Sequence, residues 1–311
     1  MFGDPALLST ASGRGVVLAG MLVLVGAATC SWIAPSRALA RPMRAGALLL
    51  LVGVMVQAFG QLLAFEAWAP DAAPLHDTLA IIGNTNWGHT RLAVTLIAFV
   101  GFVFSFARSP LLDMGVRVVA VALLGVLPLL GHAASSSNVP LAYALGMVHA
   151  AGAAMWLGAL ALLAPTWWMG LHSTLVMLPR YGRLAMFAAP LVIATGVLTV
   201  WTRLETPVQL LSTTYGRLIL AKSVLVAIIL AFGARHHRRL TRSFERSPDN
   251  NTVRFESGVY TSALGDGRPT AASRILMAYT ARHTLLLELL LAAVVLAVTG
   301  WLGESEPPTL E

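Results

Sequence analysis

The chain has 311 residues, 57% of them apolar and 11% charged, with a net charge of +7. Apolar runs of 17 or more residues recur along its whole length. They exclude a soluble enzyme with one anchor and predict an all-α, polytopic membrane protein with residues 1–311 in a single transmembrane helical domain. The positive charge is no sign of nucleic-acid binding, because basic residues of a membrane protein collect on its cytoplasmic side.

About eight spans are expected, near 15–33, 45–64, 91–107, 114–131, 140–164, 184–201, 217–234 and 283–302. Each is close to the ~20 residues that a bilayer requires. The first imitates a signal peptide, with Arg14 before the apolar run and Ala38-Leu39-Ala40 after it. Cleavage there would place Arg41 and Arg44 outside and disturb every later loop, so it is read as a span. Loops 34–44, 108–117, 169–183 and 235–282 carry 16 basic residues, and the opposite side carries 4. The first set is therefore cytoplasmic, and both termini lie outside.

The second span carries Gln57 and Gln61 one helical turn apart. His76 and His89 follow in the outer loop. Thr85-Asn86-Trp87-Gly88 opens the third span and is echoed by Thr213-Thr214-Tyr215-Gly216 before the seventh, a pattern compatible with duplicated halves or with two aromatic belts. His132 ends the fourth span, just after Pro128, a possible kink.

The fifth span has a ridge of Gly146, Ala150, Ala154 and Gly158, one small residue every four, which lets another helix backbone come close. His149 and Trp156 share a different face. At ~1.5 Å per residue His149 lies roughly 9–14 Å inside the outer edge. A histidine at such depth is costly and marks a functional site by default; the alternative is a structural histidine bonded to a neighbouring helix. Met147 and Met155 do not share its face and are expected to pack, or to serve as ligands of a different site.

Thr195 and Thr199 repeat the one-turn spacing on the sixth span, and Lys222 enters the seventh. Singly, each polar group reads as a helix–helix hydrogen bond or a snorkelling amine. Together with Gln57 and Gln61 they share one depth, which predicts a polar cavity open to the outside. Glu288 lies in the inner part of the eighth span, away from the depth of Lys222, and is expected to pair with a cytoplasmic arginine or to relay protons. The stretch 235–282 is expected to be a long, basic, flexible cytoplasmic loop whose start, RHHRRLTR, lies on anionic lipid. His236 and His237 belong to that solvated flank.

Imidazole is the commonest side-chain metal ligand, so His132, His149, His89 and His76 are the candidate metal ligands. Gln57, Gln61, Trp156, Lys222 and Glu288 are the other intramembrane residues of interest. The lone cysteine, Cys30, excludes a disulfide and a Cys-based zinc site. With no GxxxxGK[ST] loop, nothing points to ATP hydrolysis, and no enzyme activity is expected.

Three patches, in order, resemble the copper resistance protein D (CopD) family of bacterial inner-membrane proteins. They are Gly131-His132-Ala133 with His149 and Trp156-Leu157-Gly158; Arg183 through Thr195-Gly196-Val197; and Thr214-Tyr215-Gly216-Arg217 with Lys222. They cover about 131–234. The resemblance implies copper as the ion, the inner membrane as the location and hence periplasmic termini, and His132 and His149 as functional positions. It also implies a separate periplasmic copper carrier of the CopC type as partner.

The expected function is that of a copper-binding membrane protein. It would take up or transfer copper between periplasm and cytoplasm through a His-containing cavity, with the lipid bilayer as its other partner and no nucleic acid. Two alternatives are kept. A b-type haem oxidoreductase would hold haem b between deep histidines on separate helices, but only His149 is deep. A copper-delivery or assembly subunit for a respiratory enzyme would bind copper only to pass it on. In either copper reading, affinity should fall as pH drops through about 6.5, where imidazole takes up a proton.

Overall fold

The computed structural model describes residues 4–31, 39–68, 75–130, 138–162, 171–204, 206–245 and 271–305, and the regular elements among them are helical. Helix α1 (Pro5–Cys30) starts where the Asp4 carboxylate accepts from the Ala6 and Leu7 amides and Pro5 occupies the first turn. Helix α2 (Ala40–Trp68) returns antiparallel to it. The short α3 (Leu75–Gly83) and α4 (Asn86–Phe104) follow. Helix α5 (Ser109–Val126) tightens into a 3₁₀ turn at Leu127–Leu130, where Pro128 lacks the amide that an α-turn would use. Helix α6 (Val139–Ala153) runs into a π-turn at Ala154–Gly158. Long helices α7 (Leu171–Trp201), α8 (Thr214–Glu245) and α9 (Ala271–Leu302) complete the chain.

Among the described residues, seven stretches are long and apolar enough to cross a bilayer: Pro5–Cys30, Ala40–Glu66, Asn86–Phe104, Pro110–Leu130, Val139–Leu162, Tyr181–Trp201 and Thr214–Arg235. They overlie the first seven expected spans. At the position of the eighth, the apolar stretch is shorter, Leu286–Leu302. The molecule is a multi-pass helical membrane protein. Large apolar side chains such as Met55, Val121, Phe187 and Trp201 are more than 70% exposed on its outside, a surface that suits lipid and not water.

Two regions expected as connections contain helix. The outer loop that holds His76 forms α3, and the stretch 235–282 is helical at both ends, to Glu245 and from Ala271. Arginine and leucine are good helix formers, and RHHRRLTRSFE holds no glycine or proline, so α8 continues past its apolar part. Residues 246–270 lie outside the described residues.

Helix α1 is the centre of the bundle. Half of its apolar window is buried, against 11% for α8, and it packs on α2, α5, α9 and the π-turn. Toward α2 the contact is a glycine seam. A Cβ on Gly20 would lie 2.7 Å from the Gly46 carbonyl oxygen, and Gly53 meets Gly13 and Val17 in the same way. Lipid tails are as apolar as leucine, so close backbone packing rather than apolar burial holds such helices together. One core joins α1, α2, α4 and α5 around Leu24, Met43, Leu50 and Val116; a second joins α6 to α9 around Trp156, Ala188, Ile229 and Val295.

The ends of the bundle are defined by polar contacts. The Arg14 guanidinium donates to the Gly303 carbonyl at 2.8 Å and pairs with Glu304 at 3.3 Å, so the start of α1 and the end of α9 share one side. At the other end Arg44 donates to the Ser105 carbonyl at 3.5 Å. The repeated Thr-x-x-Gly pattern is a helix-start motif used twice. The Thr85 hydroxyl accepts from the Gly88 amide at 3.1 Å, and the Thr213 hydroxyl from the Gly216 amide at 2.9 Å.

Candidate functional site

Helix α6 is started by Asn138, whose side chain accepts from the Leu141 amide, and by Pro140 in the first turn. Three turns later it carries His149, half-buried against α7. The Nδ1 of His149 lies 3.0 Å from the Thr195 hydroxyl oxygen. That hydroxyl is also 2.7 Å from the Leu191 carbonyl and 3.2 Å from the Val192 carbonyl. Carbonyls only accept, so the single hydroxyl proton goes to one of them, and the Thr195 oxygen is left to accept from the ring. The hydrogen-bond network thus assigns the proton to Nδ1 and leaves Nε2 with its lone pair. The ring rests against Gly196, where a Cβ would come within 3.5 Å of Cε1.

Two turns further the π-turn inserts one extra residue into the helix, a local irregularity found mostly at functional sites. Trp156 sits on it, 6% exposed, and packs with Ala188 and Ala189 of α7. Its indole lies close enough to the Tyr181 hydroxyl to act on it. His149 and Trp156 thus both turn to α7. The small-residue ridge is shared between two neighbours: Gly158 lies back to back with Gly26 of α1 and touches the Leu22 carbonyl, while Gly146 faces Pro128.

Two polar groups line this interior. Thr195 and His149 form the first, with Lys222 of α8 near enough for its charge to act on the imidazole. The second is Trp156, Tyr181 and Glu288. Glu288 is 7% exposed, one turn before Ala292 on the packed side of α9. Its charge acts on Tyr181, as does Cys30 of α1. Seven residues of α6 separate His149 from Trp156, so the two groups are roughly 10 Å apart along the helix axis.

Gln57 belongs elsewhere. It is 2% exposed and accepts from Arg91 Nε at 3.1 Å. The Arg91 guanidinium lies 4.3 Å over the Trp87 ring, and Arg14 and Glu304 act on its charge. This cluster joins α1, α2, α4 and α9, whereas the His149 group lies between α6, α7 and α8. Gln61 is half-buried one turn beyond Gln57, and His89 is exposed in the first turn of α4. His76 falls in α3 with its side chain outside the described residues, and His132 lies outside them altogether. Among the described residues no three His, Cys, Asp or Glu side chains come together as a ready metal cage. The sequence reading missed Tyr181 and the buried Arg91. An arginine six residues into an apolar helix was a signal for the second.

The comparison with known proteins picks up the second half of this interior. Residues 175–302 match the family model CopD, Copper resistance protein D. The match runs through most of α7 and all of α8 and α9, takes in Thr195, Lys222 and Glu288, and ends short of α6 with His149. Two of the three patches that resemble CopD in the sequence fall inside it. No curated protein and no solved structure matches the chain.

Proposed function

We propose that the protein binds copper in the bacterial inner membrane and moves it between periplasm and cytoplasm, without a chemical reaction of its own. The observation that carries this reading is the Nδ1–H of His149 held by Thr195. It leaves the Nε2 lone pair of the neutral ring to bind a metal. Metal-bound histidines are oriented and made more basic in this way by a partner on the other nitrogen. The copper family match contains that partner. Imidazole nitrogen suits copper.

Copper would arrive from a separate carrier of the CopC type at the periplasmic side, with His132, His89 and His76 as capture ligands, and reach His149 in the membrane. Lys222 stands beside it. A protonated amine repels a cation, so copper entry and proton loss from Lys222 favour one another. Tyr181 of α7 and Glu288 of α9 are the next polar groups, at the level of Trp156. Eight spans with both termini periplasmic complete the reading, supported by the Arg14–Glu304 pair, which brings the two ends to one side.

The test is copper binding by purified protein and its His149→Ala and His132→Ala variants, titrated from neutral to acidic pH. Wild type should bind and lose affinity on acidification, and His149→Ala should bind far more weakly. Unchanged affinity in His149→Ala would leave it a packing residue. A Soret band in the visible spectrum would replace copper by haem b. An inactive alkaline phosphatase fused to the C-terminus would overturn the topology.

A further inference from the structure

At the end of the bundle opposite Arg14 and Glu304, a cleft of about 510 Å³ opens between the start of α2 and the turn joining α4 to α5. Arg44, Arg108, Ser105, Phe106 and Pro110 are among its lining residues. The Arg44 guanidinium is fixed there, 4.4 Å over the Phe106 ring and donating to the Ser105 carbonyl. Its Nε is buried and, among the described residues, has no hydrogen-bond partner. Arg108 is the N-cap of α5 and makes no side-chain cap bond. The partial positive charge of that 18-residue helix therefore adds to the two arginines instead of being neutralised. The α5 carboxylate, Asp113, is not part of the lining.

We propose that this cleft binds the phosphate of an anionic phospholipid headgroup. Arginine matches phosphate with several donors at once, and Arg44 and Arg108 line this cleft together. The rim argues for a lipid over a free anion. Phe106, Leu111 and Met114 are at least half exposed beside the cleft, so acyl chains would continue from the headgroup along an apolar surface. The site is separate from the His149 interior. A lipid there would pin α2 to the α4–α5 turn, next to the central helix α1.

Native mass spectrometry of the full-length protein in detergent, offered phosphatidylglycerol or phosphatidylcholine, tests this. Wild type should retain phosphatidylglycerol at least tenfold better. Arg108→Gln, on an exposed side chain, and Arg44→Lys, which keeps the charge but removes the planar guanidinium fork, should each reduce retention several-fold. The control Arg117→Gln, exposed on α5 away from the cleft, should not. Equal retention of the two lipids, or equal losses in the control and cleft variants, would overturn the proposal. So would displacement by inorganic phosphate at concentrations that match the lipid, which would make the site one for a free anion.

Discussion

Replacing Thr195 by valine removes one oxygen from the site and little else, since the two side chains have nearly the same shape. The Thr195 hydroxyl bonds its own helix, to the Leu191 carbonyl at 2.7 Å, and accepts from His149 Nδ1 at 3.0 Å. In Thr195→Val the ring loses that acceptor, and a buried N–H left without a partner costs about 1–3 kcal/mol. The imidazole is then free to turn or to move its proton to Nε2, the nitrogen assigned to copper. Loss of such a supporting bond lowers metal affinity about 10–100-fold, or ~1.4–2.7 kcal/mol. Competition of purified protein with a chromophoric copper chelator at neutral pH measures this directly. Thr195→Ser, which restores the hydroxyl, should recover most of the affinity. If Thr195→Val binds copper within twofold of wild type while His149→Ala does not bind, Thr195 does not set the state of the ring. If Thr195→Ser is as weak as Thr195→Val, the methyl group matters and the hydroxyl does not.

Lys222→Met removes the charge that acts on His149 and should raise copper affinity, by up to about tenfold. A loss in the same titration would make Lys222 a part of the binding site rather than a repelling neighbour. Gly158→Ala places a methyl group in the Leu22 carbonyl and the Gly26 backbone. Such overpacking costs about 1–3 kcal/mol and should lower Tm, whereas Gly233→Ala, with nothing within 4 Å, should leave it unchanged or slightly raised. Equal Tm values would mean that α1 and the π-turn are not in backbone contact. Gln57→Leu takes the acceptor from Arg91 and should cost about 1–3 kcal/mol in stability with copper affinity intact. A drop in affinity would join the two polar clusters that the structure separates.

The helical class and the order of the spans were legible because a bilayer demands long apolar runs, whatever their neighbours. His149 stood out for the same reason, since a titratable ring in such a run is conspicuous. The small-residue ridge announced a close approach, and the approach occurs at Gly158 against Gly26. The echo at Thr85 and Thr213 was visible too, although its cause is local: a hydroxyl that caps an amide three residues on.

The grouping of the polar residues was another matter. Gln57, Thr195 and Lys222 read as one cavity because a hydropathy profile reports depth in the membrane and nothing about direction around the bundle. Direction is fixed by which helices touch. The glycine seam holds α2 against α1 and sends Gln57 to Arg91, while α7 and α8 bring Thr195 and Lys222 to His149. The π-turn, which sets the direction of Trp156 toward Tyr181, has no residue signature of its own in AMWLG. The sequence by itself therefore determined that the chain crosses a membrane many times and that a histidine lies within it. Only tertiary packing decided which side chains that histidine meets, because contacts between helices depend on rotation and crossing, and the apolar pattern of each helix leaves both open.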